Sequence, residues 1–137
     1  MRSGEEAASA EEIRRLLDLA QGSLTSAGVL ANALEVRYQV AYAAAHYLAL
    51  AALRANDFRT ASREGHRQLV FQVLPHTAGV SSSVATALDR AHRKRNELEY
   101  AGAVDVTEAE TQDLIRAAKG LEKSVLDWIK SQRRELL

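Results

Sequence analysis

An all-α fold, four to five helices packed as an up-and-down bundle, is what this sequence predicts, and three observations predict it. Hydrophobic residues make up 47% of the chain and are heavily Ala and Leu, while aromatic residues are only 5% and there is a single Pro; that mixture favours helix over sheet. Apolar residues recur at three- and four-residue steps through most of the chain, the period of a helix with one buried face. Ser9 with Glu12, Asn32 with Glu35 and Thr107 with Glu110 have the spacing of capping boxes. In that motif the side-chain oxygen accepts from the third helical amide and the glutamate returns to the cap amide.

The 137 residues suit one domain with its own core. Residues 1–8 read as a disordered lead and residues 9–137 as the single domain. The first helix starts at the Ser9 cap, buries Ile13, Leu16, Leu17, Ala20, Leu24 and Ala27, and stops at Gly28. The second opens at Asn32 and runs to about Ala55. Its line of Tyr38, Tyr42, Ala45, Ala49 and Ala52 is mostly small, which lets neighbouring helices come close, and Tyr42 and Tyr47 are placed to pack with their hydroxyls at the rim. His46 beside them reads as a core or boundary histidine rather than a ligand.

Residues Asn56 to Thr60 break the pattern and read as a loop. A shorter helix follows from about Ser62 or Arg63 to Leu74, with Pro75 ending it. The Ser81-Ser82-Ser83 run offers N-caps for a fourth helix, which stops before Gly102. The fifth runs from the Thr107 cap to about Arg133 with Leu114, Ala118, Leu121, Val125 and Trp128 as its seam, and the last residues, Arg133 to Leu137, read as fraying.

The 18 basic and 18 acidic side chains cancel, so no global field draws the protein to nucleic acid or an anionic membrane, and any anion recognition must be local. Cysteine is absent, which excludes disulfides, thiolate metal sites and a cysteine nucleophile. No apolar run suits a signal peptide or a membrane span, so the expectation is a cytoplasmic protein without membrane contact. No glycine-rich phosphate loop, HExxH, paired metal-spaced His or GxSxG is present, so neither cofactor nor metal is expected. Glu108, Glu110 and Asp113 fall in a first helical turn, where the dipole favours carboxylates and capping explains them.

The chemistry concentrates in residues 90–100, Arg-Ala-His-Arg-Lys-Arg-Asn-Glu-Leu-Glu-Tyr. At about 3.6 residues per turn, Val84, Ala87, Leu88, Ala91 and Leu98 share one narrow arc, and Arg95 falls inside it. A permanent cation on an apolar stripe needs a carboxylate, a phosphate or a wet cleft between subunits, because an unpaired buried charge costs several kcal/mol. Two structural alternatives stand beside this: Arg95 snorkels outward on its aliphatic stem, or pairs with Glu99 one turn on. Around it, Arg90, Arg93 and Lys94, with His92, could hold a phosphate backbone or form an ordinary solvated face. His66, near the start of the third helix, is a further candidate anion contact.

These segments, EEIRRLLDLA, YQVAYAAAHYLALAALRA, GHRQLV and above all RKRNELEY ahead of a capped last helix, resemble the HEPN superfamily of small helical domains, common in prokaryotic toxin–antitoxin and defence loci. The family motif is an arginine, often followed by Asn, with a histidine four to six positions on. Arg95 and Asn96 match its first part, and Tyr100 stands where the histidine belongs, as in the branch with RN-x3-Y. The resemblance implies a homodimer whose motif helices meet at a shared cleft, binding RNA or a nucleotide. In catalytic members it implies metal-independent RNA cleavage through the ribose 2′-hydroxyl, and in some members a nucleotidyltransferase partner. A tyrosine titrates near 10 and is a poor base, so the expectation is an RNA-, nucleotide- or partner-binding domain with a degenerate nuclease motif. The alternatives are an active ribonuclease toxin using Arg95 and Asn96 with Tyr100 or His92 as proton carrier, and a helical dimer with no ligand.

Overall fold

Two short segments of chain frame a bundle of four long helices in the computed structural model, which describes residues 4–5, 7–59, 70–101 and 105–137, with side chains for 7–58, 70–98 and 105–137. Helix α1 spans Ala10–Ala27, α2 spans Leu34–Ala55, α3 is the single turn Leu74–Thr77, α4 spans Ser82–Ala101 and α5 spans Glu108–Gln132. Residues 70–72 are also helical. Strand β1, Gly4–Glu5, pairs antiparallel with β2, Phe58–Arg59. No described helix is long and apolar enough to cross a membrane.

Hydrogen bonds between helix ends fix the directions. Arg54 near the end of α2 reaches Glu12 at the start of α1, and Arg37 at the start of α2 reaches the Ala27 carbonyl at the end of α1, so α1 and α2 are antiparallel. Arg37 also meets Glu108, and Arg133 meets the Ala55 carbonyl, so α5 runs parallel to α2. Lys94 near the end of α4 pairs with Glu110 at the start of α5. The four long helices therefore alternate in direction, the up-and-down order read from the sequence.

Helix α2 is apolar on nearly every face, and a helix of that kind belongs in the middle. Tyr38, Ala41, Tyr42, Ala44, Ala45, Leu48, Ala49, Ala51 and Ala52 are all buried. Alanine surfaces let helix axes approach, and α2 packs closely on α1 and on its parallel partner α5. Helix α5 packs far less on α4, so these two stand apart and leave a groove between them. Within α5, Ile115 and Ile129 join Leu114, Ala118, Leu121 and Val125 in the core, while Trp128 is only partly buried.

Several local expectations are corrected. Ser9 Oγ accepts from the Glu12 amide as the capping box requires, but the Glu12 carboxylate turns to Arg54 because a buried guanidinium is the stronger partner. The Asn32–Glu35 box does not form: α2 begins after Ala33 without a side-chain cap, and Asn32 Nδ2 donates back to the Ser26 carbonyl, closing the end of α1. Pro75 opens α3 rather than ending a helix, since its fixed φ and missing N–H suit a first turn. The expected third helix lies mostly outside the described residues, as does His66.

The two ends of the chain are held rather than loose where they are described. Besides β1, the Ala8 amide donates to Asp57 Oδ1 and the Ala7 carbonyl accepts from Arg54 Nη2. The tail expected to fray forms a 3₁₀ turn, Arg134–Leu136, with Leu136 buried. Arg133 locks it, donating to Asp57 Oδ2 at 2.9 Å, to the Ala55 carbonyl at 2.9 Å and to Glu135 at 2.8 Å.

Candidate functional site

Helix α4 begins where Ser81 Oγ accepts from the Val84 amide. With no proline or glycine before residue 101, it carries residues 82–101 as one helix, and its side chains radiate to three sides. Residues 92, 95 and 96 are spaced i, i+3 and i+4, which puts them on one face, and that face meets α2 at Tyr42. The Tyr42 hydroxyl lies 2.8 Å from His92 Nδ1, and His92 Nε2 lies 3.2 Å from Asn96 Nδ2. When the Asn96 amide donates to Nε2, the neutral ring carries its proton on Nδ1 and donates it to the Tyr42 oxygen.

Arg95 lies against the same tyrosine. Its guanidinium carbon stands 5.5 Å from the Tyr42 ring centroid, within the range at which a cation is attracted to the ring face. Tyr42 itself is buried, so its hydroxyl is not at the rim. Behind it, Phe71 meets the ring edge-on at 5.7 Å and His46 stacks on it at 6.4 Å. His46 also meets Phe71 edge-on at 6.2 Å, and this aromatic backing places Tyr42 between α4 and the core.

Arg95 is half-buried, as is Leu98, while Leu88 and Ala91 are sealed and Ala87 is exposed. The apolar stripe is therefore real toward α2 and open at its edge, and Arg95 sits at the boundary. Tyr100 belongs to α4 by its backbone; its side chain and that of Glu99 lie outside the described ones.

The remaining cations of the segment do not converge on Arg95. Arg93 is 69% exposed and pairs with Asp89 one turn back at 3.0 Å. Lys94 crosses to α5 and pairs with Glu110 at 3.2 Å. Arg90 is exposed and has no ion pair among the described residues. A run that looks like one basic patch in sequence is thus split over three faces of the helix.

At the N-terminus of α5 the third capping box forms in full: Thr107 Oγ1 accepts from the Glu110 amide and the Glu110 carboxylate accepts from the Thr107 amide. That amide, and then Lys94, hold Glu110 below the usual carboxylate range. Glu108 is likewise held down, first by Arg37 and then by Gln112. These carboxylates are engaged in structure. Among the described residues no group of three or more His, Asp or Glu gathers as a metal site. Comparison of the chain with protein-family models, with curated proteins and with solved structures gives no match.

Sequence reasoning missed Tyr42 as a member of the site and gave His92 a minor part. The signal for His92 was its spacing from Arg95 and Asn96. Nothing in the sequence marks Tyr42 as its partner across 50 positions.

Proposed function

We propose that this chain is a HEPN-like domain, acting as a homodimer in a prokaryotic toxin–antitoxin or defence setting, that binds single-stranded RNA or a nucleotide through the Arg95 cluster. One observation carries the reading: Arg95 of the RN-x3-Y segment and His92, one turn before it, both meet Tyr42, and Asn96 of the segment meets His92, at one edge of the α2–α4 interface. The Arg95 guanidinium carbon rests against the Tyr42 ring, and a guanidinium suits phosphate in two-point geometry. Asn96 adds its second amide N–H as a short-range donor to the same oxygens. A second copy approaching the half-open edge of the stripe would double the cluster and enclose it.

The second reading, an active metal-independent ribonuclease, is favoured by the position of His92. In it the 2′-hydroxyl oxygen bonds to the adjacent phosphorus as His92 takes its proton, the P–O5′ bond breaks, the departing O5′ takes a proton from water, and Arg95 stabilises the phosphorane oxygens. His92 Nε2 would have to exchange its Asn96 contact for the ribose. With Tyr100 in the motif's histidine position, binding without turnover is the preferred reading. In either case a nucleotidyltransferase is the partner the resemblance suggests, and the cytoplasm is the compartment.

Expression of wild type and Arg95→Ala in a bacterial host, followed by growth and total RNA integrity, separates the readings. Binding without turnover predicts no growth arrest by either protein, but a gel shift of single-stranded RNA that Arg95→Ala weakens at least tenfold. Growth arrest and RNA breakdown abolished by the substitution would instead establish the nuclease. An RNA affinity unchanged by it would leave a helical assembly that does not use this site.

A further inference from the structure

The α4–α5 groove holds a second cluster, separate from Arg95 and on a different face of α4. Here a cavity of about 440 Å³ is lined by Tyr38 from α2, Arg90, Ala91 and Lys94 from α4, and Glu110 and Leu114 from α5. That volume is in the range of small-molecule sites. Its floor is apolar, with Leu88, Ala91 and Leu114 buried beneath it.

Tyr38 is the unusual member. It is only 5% exposed, yet its hydroxyl has no hydrogen-bond partner among the described residues, and the oxygen is not among the atoms sealed from solvent. A buried tyrosine ordinarily satisfies its hydroxyl. Here the hydroxyl is open to the cavity the residue lines, where water or a ligand atom can take its proton in a hydrogen bond.

The charges indicate which ligand atom suits it. Lys94 is neutralised by Glu110 at 3.2 Å, and Asp113, also on the wall, is neutralised by Arg116 at 3.1 Å. Arg90 remains on the wall without an ion pair among the described residues. The cavity therefore presents one hydroxyl donor, one uncompensated guanidinium and an apolar floor.

We propose that this cavity is a binding site for a small amphipathic monocarboxylate, its carboxylate held by the Tyr38 hydroxyl and the Arg90 guanidinium and its aromatic or branched body laid on Ala91 and Leu114. Burial first, and the Glu110 carboxylate second, push Tyr38 up to about 12, so it stays a donor throughout the physiological range. A dianion is disfavoured because only one positive charge is uncompensated. A polynucleotide is disfavoured by the size of the cavity. The site does not depend on the RNA reading, and either can fail alone.

The test uses 2-naphthoate as probe and its neutral amide, 2-naphthamide, as control, titrated into the ¹⁵N-labelled 137-residue chain. Saturable shifts of the Ala87, Ala91 and Leu114 amides by 2-naphthoate are expected, with the amide at least tenfold weaker. Tyr38→Phe removes a hydroxyl that no described residue bonds, so the fold should be kept and the dissociation constant should rise about tenfold, as for loss of one bond to a charged group. Arg90→Gln, at an exposed position, should do the same. No saturable shift in the wild type, equal binding of the amide, or an unchanged dissociation constant in Arg90→Gln or in folded Tyr38→Phe would overturn the proposal.

Discussion

Single residues decide where this chain places its charges, and the instructive ones are those that sequence periodicity does not reveal. Arg95 is found by helical arithmetic because it interrupts an apolar arc. Arg54 and Arg37 are buried far more deeply, with Arg54 1% exposed, yet in sequence they look like ordinary polar positions of α2. Arg54 is tolerated there because Glu12, the Phe58 carbonyl and the Ala7 carbonyl receive its N–H groups, as a buried cation requires. Those partners come from segments distant in sequence, which is why no local pattern announces them. Asp57 shows the same logic with a measurable consequence. It has a left-handed backbone, φ 63°, and accepts from the Ala8 amide and from Arg133. That amide first, then Arg133, lowers its pKa. A carboxylate depressed in the folded state stabilises above its unfolded value, near 3.9, and the contribution is lost as pH falls through the folded value. Asp57→Asn keeps a side chain that tolerates this backbone and should cost about 1 kcal/mol at pH 7 by loss of the Arg133 pair. The gap between the two proteins should narrow toward pH 3, as followed by urea unfolding; a gap that stays constant would remove Asp57 from the clasp.

Helices were legible at the scale of existence, and caps and boundaries only where the chemistry is local. The Thr107–Glu110 box can be read from four residues and forms as read. The Ser9–Glu12 box forms by half because Arg54, a tertiary partner, outcompetes the cap amide for Glu12. Asn32–Glu35 has the same spacing but follows a helix end, and Asn32 closes that end instead. Pro75 is ambiguous in principle, since one residue type both ends helices and opens them. Thr107→Ala therefore makes a clean element-level test: it removes the side-chain half of a box at the exposed start of α5 and should lower stability by about 1 kcal/mol without altering the groove. Chemical denaturation measures it, and an effect below about 0.3 kcal/mol would mean that α5 is held by its packing on α2 alone. The candidate site was legible in the same graded way. Residues 92, 95 and 96 share a face by spacing, but in sequence Arg90, Arg93 and Lys94 look like companions of Arg95. They are divided among faces because adjacent residues on a helix point about 100° apart.

For the whole molecule, the alanine-rich α2 governs the arrangement. Its small side chains let α5 lie close as a parallel neighbour, and the cost of that closeness is that α4 and α5 separate. One helix, α4, thereby faces both features of interest: the Arg95 cluster toward Tyr42 and the Tyr38 cavity toward α5. Net charge is zero, so ligand capture at either place depends on local geometry rather than on a long-range field. The central claim is that the Arg95 cluster is a phosphate-binding surface and not merely a well-packed corner. Titration of the ¹⁵N-labelled 137-residue chain with a single-stranded tetrauridylate RNA addresses it most directly, read at the Arg95 Nε–H, the Asn96 side-chain amide and the backbone amides of residues 92–96. Saturable shifts at these groups, lost in Arg95→Ala while the remaining spectrum is unchanged, are the predicted result. Shifts that bypass them, or that persist without the arginine, would contradict it.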